Sequence, residues 1–413
     1  MDQIAKKYFQ DNHVTFKGGD YNAKPLYDYM NDSRLCDDIV EKLKEFNYVK
    51  PTPIQAVSIP MILEGKDFIG ISQTGSGKTL GFVLPAFIKL ISGQISIDKQ
   101  EGVCSPLVLI LSPTRELALQ TKEVIDNFKL FPVACCYGGA PRYDQIKFIK
   151  SRRPPFIVGT PGRINDFIDS NIICVSQVKY LVLDEADRMF DMGFYPQISG
   201  IIGQSSSNQR QTLLFSATWE GKVEAFASPF LKNDRVFACI GRLDLKANQD
   251  IKQRLFLVTE FQKKLLLRRI LTAYVGFKVI VFANTKAKVN DLCRDYSSPN
   301  DFGWSGYIHG DVDQSRRSRI VKEFDSGTIT VLFATDVASR GLDINDISVV
   351  VNYDIPLDVE TYVHRIGRTA RYGRKGTAYS FVTNRLFGSP HIHKQLLKVV
   401  RESDNEIPDN LKI

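Results

Sequence analysis

Short runs of β-branched and aliphatic residues recur along the chain, and the stretches between them carry apolar residues at helical spacing. In the first half the runs are "FIGIS", "LVLILS", "FIVGT", "YLVLD" and "TLLFS"; in the second they are "KVIVFAN", "TVLFATD", "SVVVNYD" and "TAYSFV". Strands that alternate with helices build parallel sheets, because a parallel crossover needs a helix and the helices then cover both faces. The runs suffice for two such sheets. The polar stretch "IGRLDLKANQD", 240–250, breaks the pattern and sets the boundary. The reading is an α/β chain of two similar-sized domains, with the residues before about 45 preceding the first sheet strand.

A length of 413 residues, 43% hydrophobic and 24% charged, fits that organisation with ample core. The apolar runs are far too short to cross a bilayer, and "MDQIAKKYFQD" lacks the apolar core of a signal peptide, so an intracellular protein with no membrane partner is expected. Seven scattered cysteines, none in a CxxC pair, read as free thiols. The "HIH" at 391–393 has no neighbouring Cys or carboxylate cluster and reads as a solvated segment, not a metal site. The formal net charge is +8; residues 248–413 carry 25 of the 54 basic and 19 of the 46 acidic side chains, so the excess sits mostly in the second half. That permits a polyanionic partner without requiring one.

The segment "FIGISQTGSGKTLGF" follows a strand and opens a helix. Gly75 and Gly77 let backbone N–H groups turn inward around phosphate, Lys78 can reach the β- and γ-phosphates, and the Thr79 hydroxyl can hold Mg²⁺. The generic pattern begins with Gly, and here that place is Ser72. A glycine turn before a helix accounts for the glycines alone, but it has no use for Gly-Lys-Thr at this register. Such a site needs a carboxylate at the C-terminal end of a neighbouring buried strand. Asp184, closing "YLVLD", fits, and Glu185 stands where it can polarise the attacking water. Asp187 suits a helix N-terminus.

"DEAD" at 184–187 is the name-giving motif of the DEAD-box RNA helicases, and the chain resembles that family from about 25 to about 385. "YVKPTPIQ" (48–55) resembles its adenine-reading segment and "SQTGSGKT" (72–79) its phosphate loop. "PTRELA" (113–118), "GG" (138–139) and "TPGR" (160–163) resemble the RNA-contact motifs of its first domain, and "SAT" (216–218) its coupling motif. "FATDVASRGLDI" (333–344) and "HRIGRTAR" (364–371) resemble the late motifs of the second domain. The resemblance implies two tandem RecA-like domains, each a mostly parallel sheet with helices on both faces. The flank is 1–45, the first domain 46–239, the linker 240–250 and the second domain 251–413.

Residue by residue, the resemblance implies that Gln55 hydrogen-bonds adenine and Tyr48 stacks on it. Ser72, Gln73, Thr74, Gly75, Ser76, Gly77, Lys78 and Thr79 hold the phosphates, with Thr79 and Asp184 on Mg²⁺. Asp343 contacts the ribose, and Arg368 and Arg371 reach the γ-phosphate. Catalysis falls to Lys78, Asp184, Glu185, Arg368 and Arg371. Coupling falls to Asp187, Ser216, Thr218, His364 and Arg365. RNA contacts fall on Pro113, Thr114, Arg115, Gly139, Thr160, Gly162 and Arg163, then on Gln314, Arg317, Thr335, Asp336 and Arg340. For any one of these a cap or turn role is equally open; Thr114, for instance, suits a helix start. The family usually shows Gly where this chain has Asn47 and Ala370, and Ala at Ser72; a lone upstream Phe falls near Tyr29 or Met30.

The expected function is RNA-stimulated ATP hydrolysis that drives local, non-processive duplex unwinding or ribonucleoprotein remodelling, by a monomer using ATP and Mg²⁺. "SATW" and the linker resemble the subgroup active in ribosome assembly and nuclear RNA processing, which implies pre-ribosomal proteins as partners and a nuclear or nucleolar address, with the cytoplasm open. The competing readings are an ATP-gated RNA clamp with little turnover, a DNA translocase and a P-loop kinase.

Overall fold

The computed structural model describes residues 3–17, 24–73, 75–96, 102–205, 209–219, 221–241, 248–336, 346–370, 374–384, 390–403 and 405–411. Two units emerge, Met1–Leu243 and Asp244–Ile413. The first contains strands β1 (Val14–Lys17), β2 (Phe68–Ile71), β3 (Val108–Leu111), β4 (Val133–Cys136), β5 (Phe156–Gly159), β6 (Tyr180–Asp184), β7 (Gln211–Ser216) and β8 (Val236–Ile240). They form one sheet in the order β1-β8-β2-β7-β6-β3-β5-β4.

Strands β2, β3, β5, β6 and β7 are buried along their whole length, as their unbroken apolar runs require of strands covered on both faces. One side of the sheet packs Phe68, Phe82, Tyr180 and Phe215; the other packs Ile69, Ile71, Leu181, Leu183 and Leu214. At about 1.5–3 kcal/mol per fully buried large side chain, these faces dominate the unit's stability. The rigid sheet matters for function because the loops at its C-terminal edge carry the motifs.

Strand β1 corrects the expectation that the residues before about 45 lie ahead of the sheet. It pairs antiparallel with β8, Val14 opposite Ile240, and alternates half-buried with exposed residues. Four such residues give an edge strand with no apolar run to announce it. The helix Gln3–Asp11 before it seats Ala5 and Phe9 in the core.

The second unit contains β9 (Ile251–Leu257), β10 (Lys278–Phe282), β11 (Ser305–Ile308), β12 (Val331–Ala334), β13 (Ile347–Asn352) and β14 (Gly376–Val382). They are all parallel, in the order β11-β12-β10-β13-β14-β9. The "HIH" segment is not a solvated tail. It opens the helix Pro390–Glu402, which buries His393, Leu396, Leu397 and Val400. These residues recur every three to four positions and so share one face. All seven cysteines are free.

Candidate nucleotide and nucleic-acid site

After β2 the chain turns through Ser72, Gln73, Gly75, Ser76 and Gly77 into the helix Lys78–Ile91; Thr74 lies outside the described residues. Gly75 and Gly77 are left-handed, with φ of 78° and 88°. Gly77 is required twice over, since a Cβ there would sit 2.6 Å from Gln55 Nε2. The Lys78 ammonium is buried and donates to the carbonyls of Ser72 at 2.7 Å and Gln73 at 3.1 Å. Burial lowers its pKa, while the charges of Glu185, Asp184 and Asp187 hold it up. The Ser72 hydroxyl, where the family has Ala, lies 2.8 Å from the Ser76 hydroxyl.

Gln55 lies in the first turn of the helix Pro53–Leu63. Its Oε1 accepts from the Thr52 N–H at 2.7 Å and from the Tyr29 hydroxyl at 2.8 Å, and its Nε2 donates to Gly77 O at 2.9 Å. The adenine segment and the phosphate loop are thereby tied together by one amide. Tyr48 stands 46% exposed, open to stacking.

The acidic motif lies two strands away. In the order β2-β7-β6, the phosphate loop, the "SAT" segment and the "DEAD" segment leave three adjacent strand ends. Ser72 N donates to Ser216 O at 3.1 Å. Asp187 is buried, and its Oδ2 accepts from Ala217 N at 3.0 Å, Thr218 N at 3.1 Å and the Thr218 hydroxyl at 3.2 Å. The Ser216 hydroxyl does the reverse and accepts from Asp187 N at 3.3 Å. Asp187 therefore does far more than cap a helix.

Burial, and then the like charge of Glu185, pushes the Asp184 carboxyl well above the usual carboxylate range, with Lys78 pulling the other way. Glu185 holds a left-handed backbone, φ 53°, and pairs with Arg188 at 2.6 Å. Asp184 and the half-buried Thr79 hydroxyl are the hard oxygen donors that Mg²⁺ takes. A buried carboxylate disfavoured as an anion gains most from an adjacent cation, so the donor set fits the ion.

The RNA motifs of the first unit occupy the ends of β3, β4 and β5. Pro113 is buried, and the Thr114 hydroxyl caps the helix Arg115–Phe128 by accepting from Leu117 N at 3.4 Å. The Arg115 guanidinium lies 4.5 Å over the Tyr137 ring, with its buried Nε lacking a hydrogen-bond partner. Gly139 is exposed with φ 78°, Thr160 precedes the helix Pro161–Asp169, and Gly162 is exposed on its first turn. Sequence reasoning missed Gln145. Its Oε1 accepts from Tyr137 N and from Arg163 Nη1, both at 3.2 Å, and its Nε2 donates to Tyr137 O at 3.1 Å. It binds the "GG" and "TPGR" segments into one surface.

In the second unit Arg365 is 2% exposed. It forks onto Asp336 at 2.5 and 2.7 Å, and also reaches Asp354 O at 2.6 Å and Asn284 Oδ1 at 2.8 Å. Asp336 thus meets an arginine of its own unit. Thr335 is buried beyond β12, Gln314 opens the helix Gln314–Asp325, and Arg317 is half-buried on it. His364 is half-buried and Arg368 buried at the end of the helix Val359–Ile366. Arg340, Asp343 and Arg371 lie outside the described residues.

Comparison with known proteins follows the same division. The DEAD/DEAH box helicase family model matches residues 52–226, and the helicase conserved C-terminal domain matches 262–373. The chain is 42% identical to the DEAD-box ATP-dependent RNA helicase 30 of Arabidopsis thaliana over 99% of its own length and 68% of that protein's. It belongs to the DEAD-box ATP-dependent RNA helicase family. It is also 40% identical to the probable ATP-dependent RNA helicase DDX17 of Mus musculus, covering 62% of that protein. Among solved structures, S. cerevisiae Dbp5 bound to RNA and ADP BeF3 matches with a TM-score of 0.74 at 29% identity, over 88% of this chain and 92% of that one. Mss116p bound to ssRNA and AMP-PNP matches with a TM-score of 0.75 at 26% identity, over 95% and 82%.

The departures from the DEAD-box pattern now have physical readings. Asn47 and Ala370, which replace family glycines, both hold left-handed backbone, with φ of 57° and 55°. Asn tolerates that region; Ala pays roughly 1 kcal/mol. Of the two candidates near the family's lone Phe, Tyr29 is the buried one that reaches Gln55.

Proposed function

We propose that this DEAD-box chain is an RNA-stimulated ATPase that grips single-stranded RNA and separates short duplexes locally. The observation that carries the reading is the Asp187 staple, which joins the acidic strand end to the "SAT" segment beside the phosphate loop. A change at the nucleotide is then felt along the sheet edge where the RNA motifs emerge.

In this reading Gln55 and Tyr48 take the base, Lys78 and the loop amides hold the phosphates, and Thr79 and Asp184 hold Mg²⁺. When bound, the ion neutralises developing charge on the phosphates. Glu185 accepts a proton from the attacking water, and Arg368 and Arg371 stabilise the γ-phosphate. RNA is held by Pro113, Thr114, Arg115, Gly139, Thr160, Gly162 and Arg163, and by Gln314, Arg317, Thr335 and Arg340. Contacts to phosphate and 2′-hydroxyl groups give grip without sequence preference and favour RNA over DNA. Asp336 serves this surface by fixing Arg365. A place in nuclear RNA processing rests on the "SATW" resemblance, and cross-linking to ribosomal precursor RNA in cells would support it.

The test is Glu185→Gln. It should keep ATP and RNA binding near the parent values while turnover falls by at least about a hundredfold. Turnover at the parent rate would remove Glu185 from the chemistry.

A further inference from the structure

The helix Arg142–Arg152 follows the "GG" segment and is bound to the helix Pro161–Asp169 of the "TPGR" segment. Arg142 donates to the two carboxylate oxygens of Asp166 at 3.1 and 3.0 Å and to the Ser170 hydroxyl at 2.5 Å. Its guanidinium and that of Arg163 stand 5.6 and 5.4 Å from the centroid of one ring, Phe167. Gln145 adds its bonds to Tyr137 and Arg163. The helix is therefore a fixed continuation of the surface that carries the RNA motifs of the first unit.

Its outer face has an unusual composition. Tyr143, Lys147 and Lys150 stand four and three residues apart, so they share one stripe, and all three are exposed. Tyr143 is 72% exposed and lies four residues beyond Gly139. A single exposed ring is ordinary on any surface; its company is what matters here. Arg142, Lys147, Lys150 and Arg152 stand against the lone acid Asp144 on this helix, and Arg153 follows directly. Residues 248–413 hold 25 of the 54 basic and 19 of the 46 acidic side chains, which leaves the first 247 residues nearly neutral and, without this helix and Arg153, net acidic. The positive charge is thus concentrated beside the RNA motifs. An aromatic ring in line with lysines is the composition that holds single-stranded nucleic acid, the ring stacking on a base and the ammonium groups tracking the backbone. We propose that this stripe is a further RNA-binding site: Tyr143 stacks on a base of single-stranded RNA beyond the stretch held by the "GG" and "TPGR" segments, and Lys147 and Lys150 take the phosphates that follow. At 1.5 Å per residue the stripe is about 10 Å long, so it holds only the first few nucleotides past the motifs. The proposal rests on the RNA-contact role of Gly139 and Arg163.

The experiment measures binding of two single-stranded RNAs of one composition, about 6 and about 14 nucleotides long, to the full chain with a non-hydrolysable ATP analogue and Mg²⁺. The variants are Tyr143→Ala, Tyr143→Phe, the double variant Lys147→Gln with Lys150→Gln, and Arg163→Ala, each with a thermal melt. Tyr143→Ala should weaken the long RNA about fivefold and leave the short one near the parent value, while Tyr143→Phe keeps the ring and binds both like the parent. The double lysine variant should lower the slope of log affinity against log salt for the long RNA by about 1.4, two phosphates at about 0.7 each. Arg163→Ala should weaken both RNAs. Long-RNA affinity and salt slope unchanged in the Tyr143 and lysine variants, with Arg163→Ala still weakening both lengths, overturns the stripe and leaves the RNA surface of the first unit standing. Equal losses on both lengths in Tyr143→Ala also overturn it, since the ring would then belong to the motif-bound stretch. Arg163→Ala without effect on either RNA, in a protein that melts like the parent, overturns the RNA-contact role of Arg163 and the proposal with it.

Discussion

Each unit anchors its motifs with one buried charged side chain, and the two anchors have opposite sign. In the first unit Asp187 draws its partners from backbone N–H groups and one hydroxyl. In the second, Arg365 joins three adjacent strand ends, through Asn284 after β10, Asp336 after β12 and Asn352 and Asp354 around the end of β13. A carboxylate held by backbone N–H groups and a hydroxyl leaves the neighbouring Lys78 and Asp184 to a ligand, while Glu185 pairs with Arg188. A guanidinium satisfied by a carboxylate binds both charges into the scaffold. The first arrangement suits a chemical site; the second suits a rigid platform that presents other residues.

The contrast predicts unequal damage when the anchors are removed. Arg365→Ala should cost the second unit the most, about 3–5 kcal/mol, because Asp336 loses its countercharge in a largely enclosed site. Thermal unfolding should then separate into two transitions, with ATP binding retained by the first unit. A single transition at the parent temperature would show that Arg365 anchors nothing. Asp187→Asn keeps the shape but turns an NH₂ toward the Ala217 and Thr218 amides if it reproduces the carboxylate's pose. The expected loss is smaller, about 1–3 kcal/mol, with RNA stimulation of ATP turnover falling more than basal turnover. Equal falls in both would make Asp187 a structural residue only. The smallest effect concerns the backbone beside the second anchor. Ala370→Gly relieves a left-handed alanine and should stabilise the second unit by about 0.5–1 kcal/mol, read as a raised melting temperature.

The parts of this organisation that were legible in sequence are those with local signatures. The buried parallel strands show as unbroken apolar runs, and the phosphate loop as glycines before Lys78 and Thr79. Strand β1 was hidden because an edge strand of four residues, half of them exposed, resembles any polar flank. His393 reads as polar on its own, and its burial follows only from the helical face shared with Leu396, Leu397 and Val400. Gln145 carries no local signal, since the bonds that define it join residues brought together by folding, such as Gln145 to Arg163; the family resemblance left Tyr29 and Met30 open, and the bond from Tyr29 to Gln55 decides between them. Arg188 was within reach, because its pairing with Glu185 is an ordinary i,i+3 helix contact.

Coupling between nucleotide and RNA is the central claim, and linkage makes it measurable without turnover. The affinity of the full chain for a non-hydrolysable ATP analogue with Mg²⁺ should be measured with and without saturating single-stranded RNA. The account predicts a tightening of at least about fivefold, matched by an equal tightening of RNA when the analogue is present. Identical analogue affinities in the two conditions would contradict it.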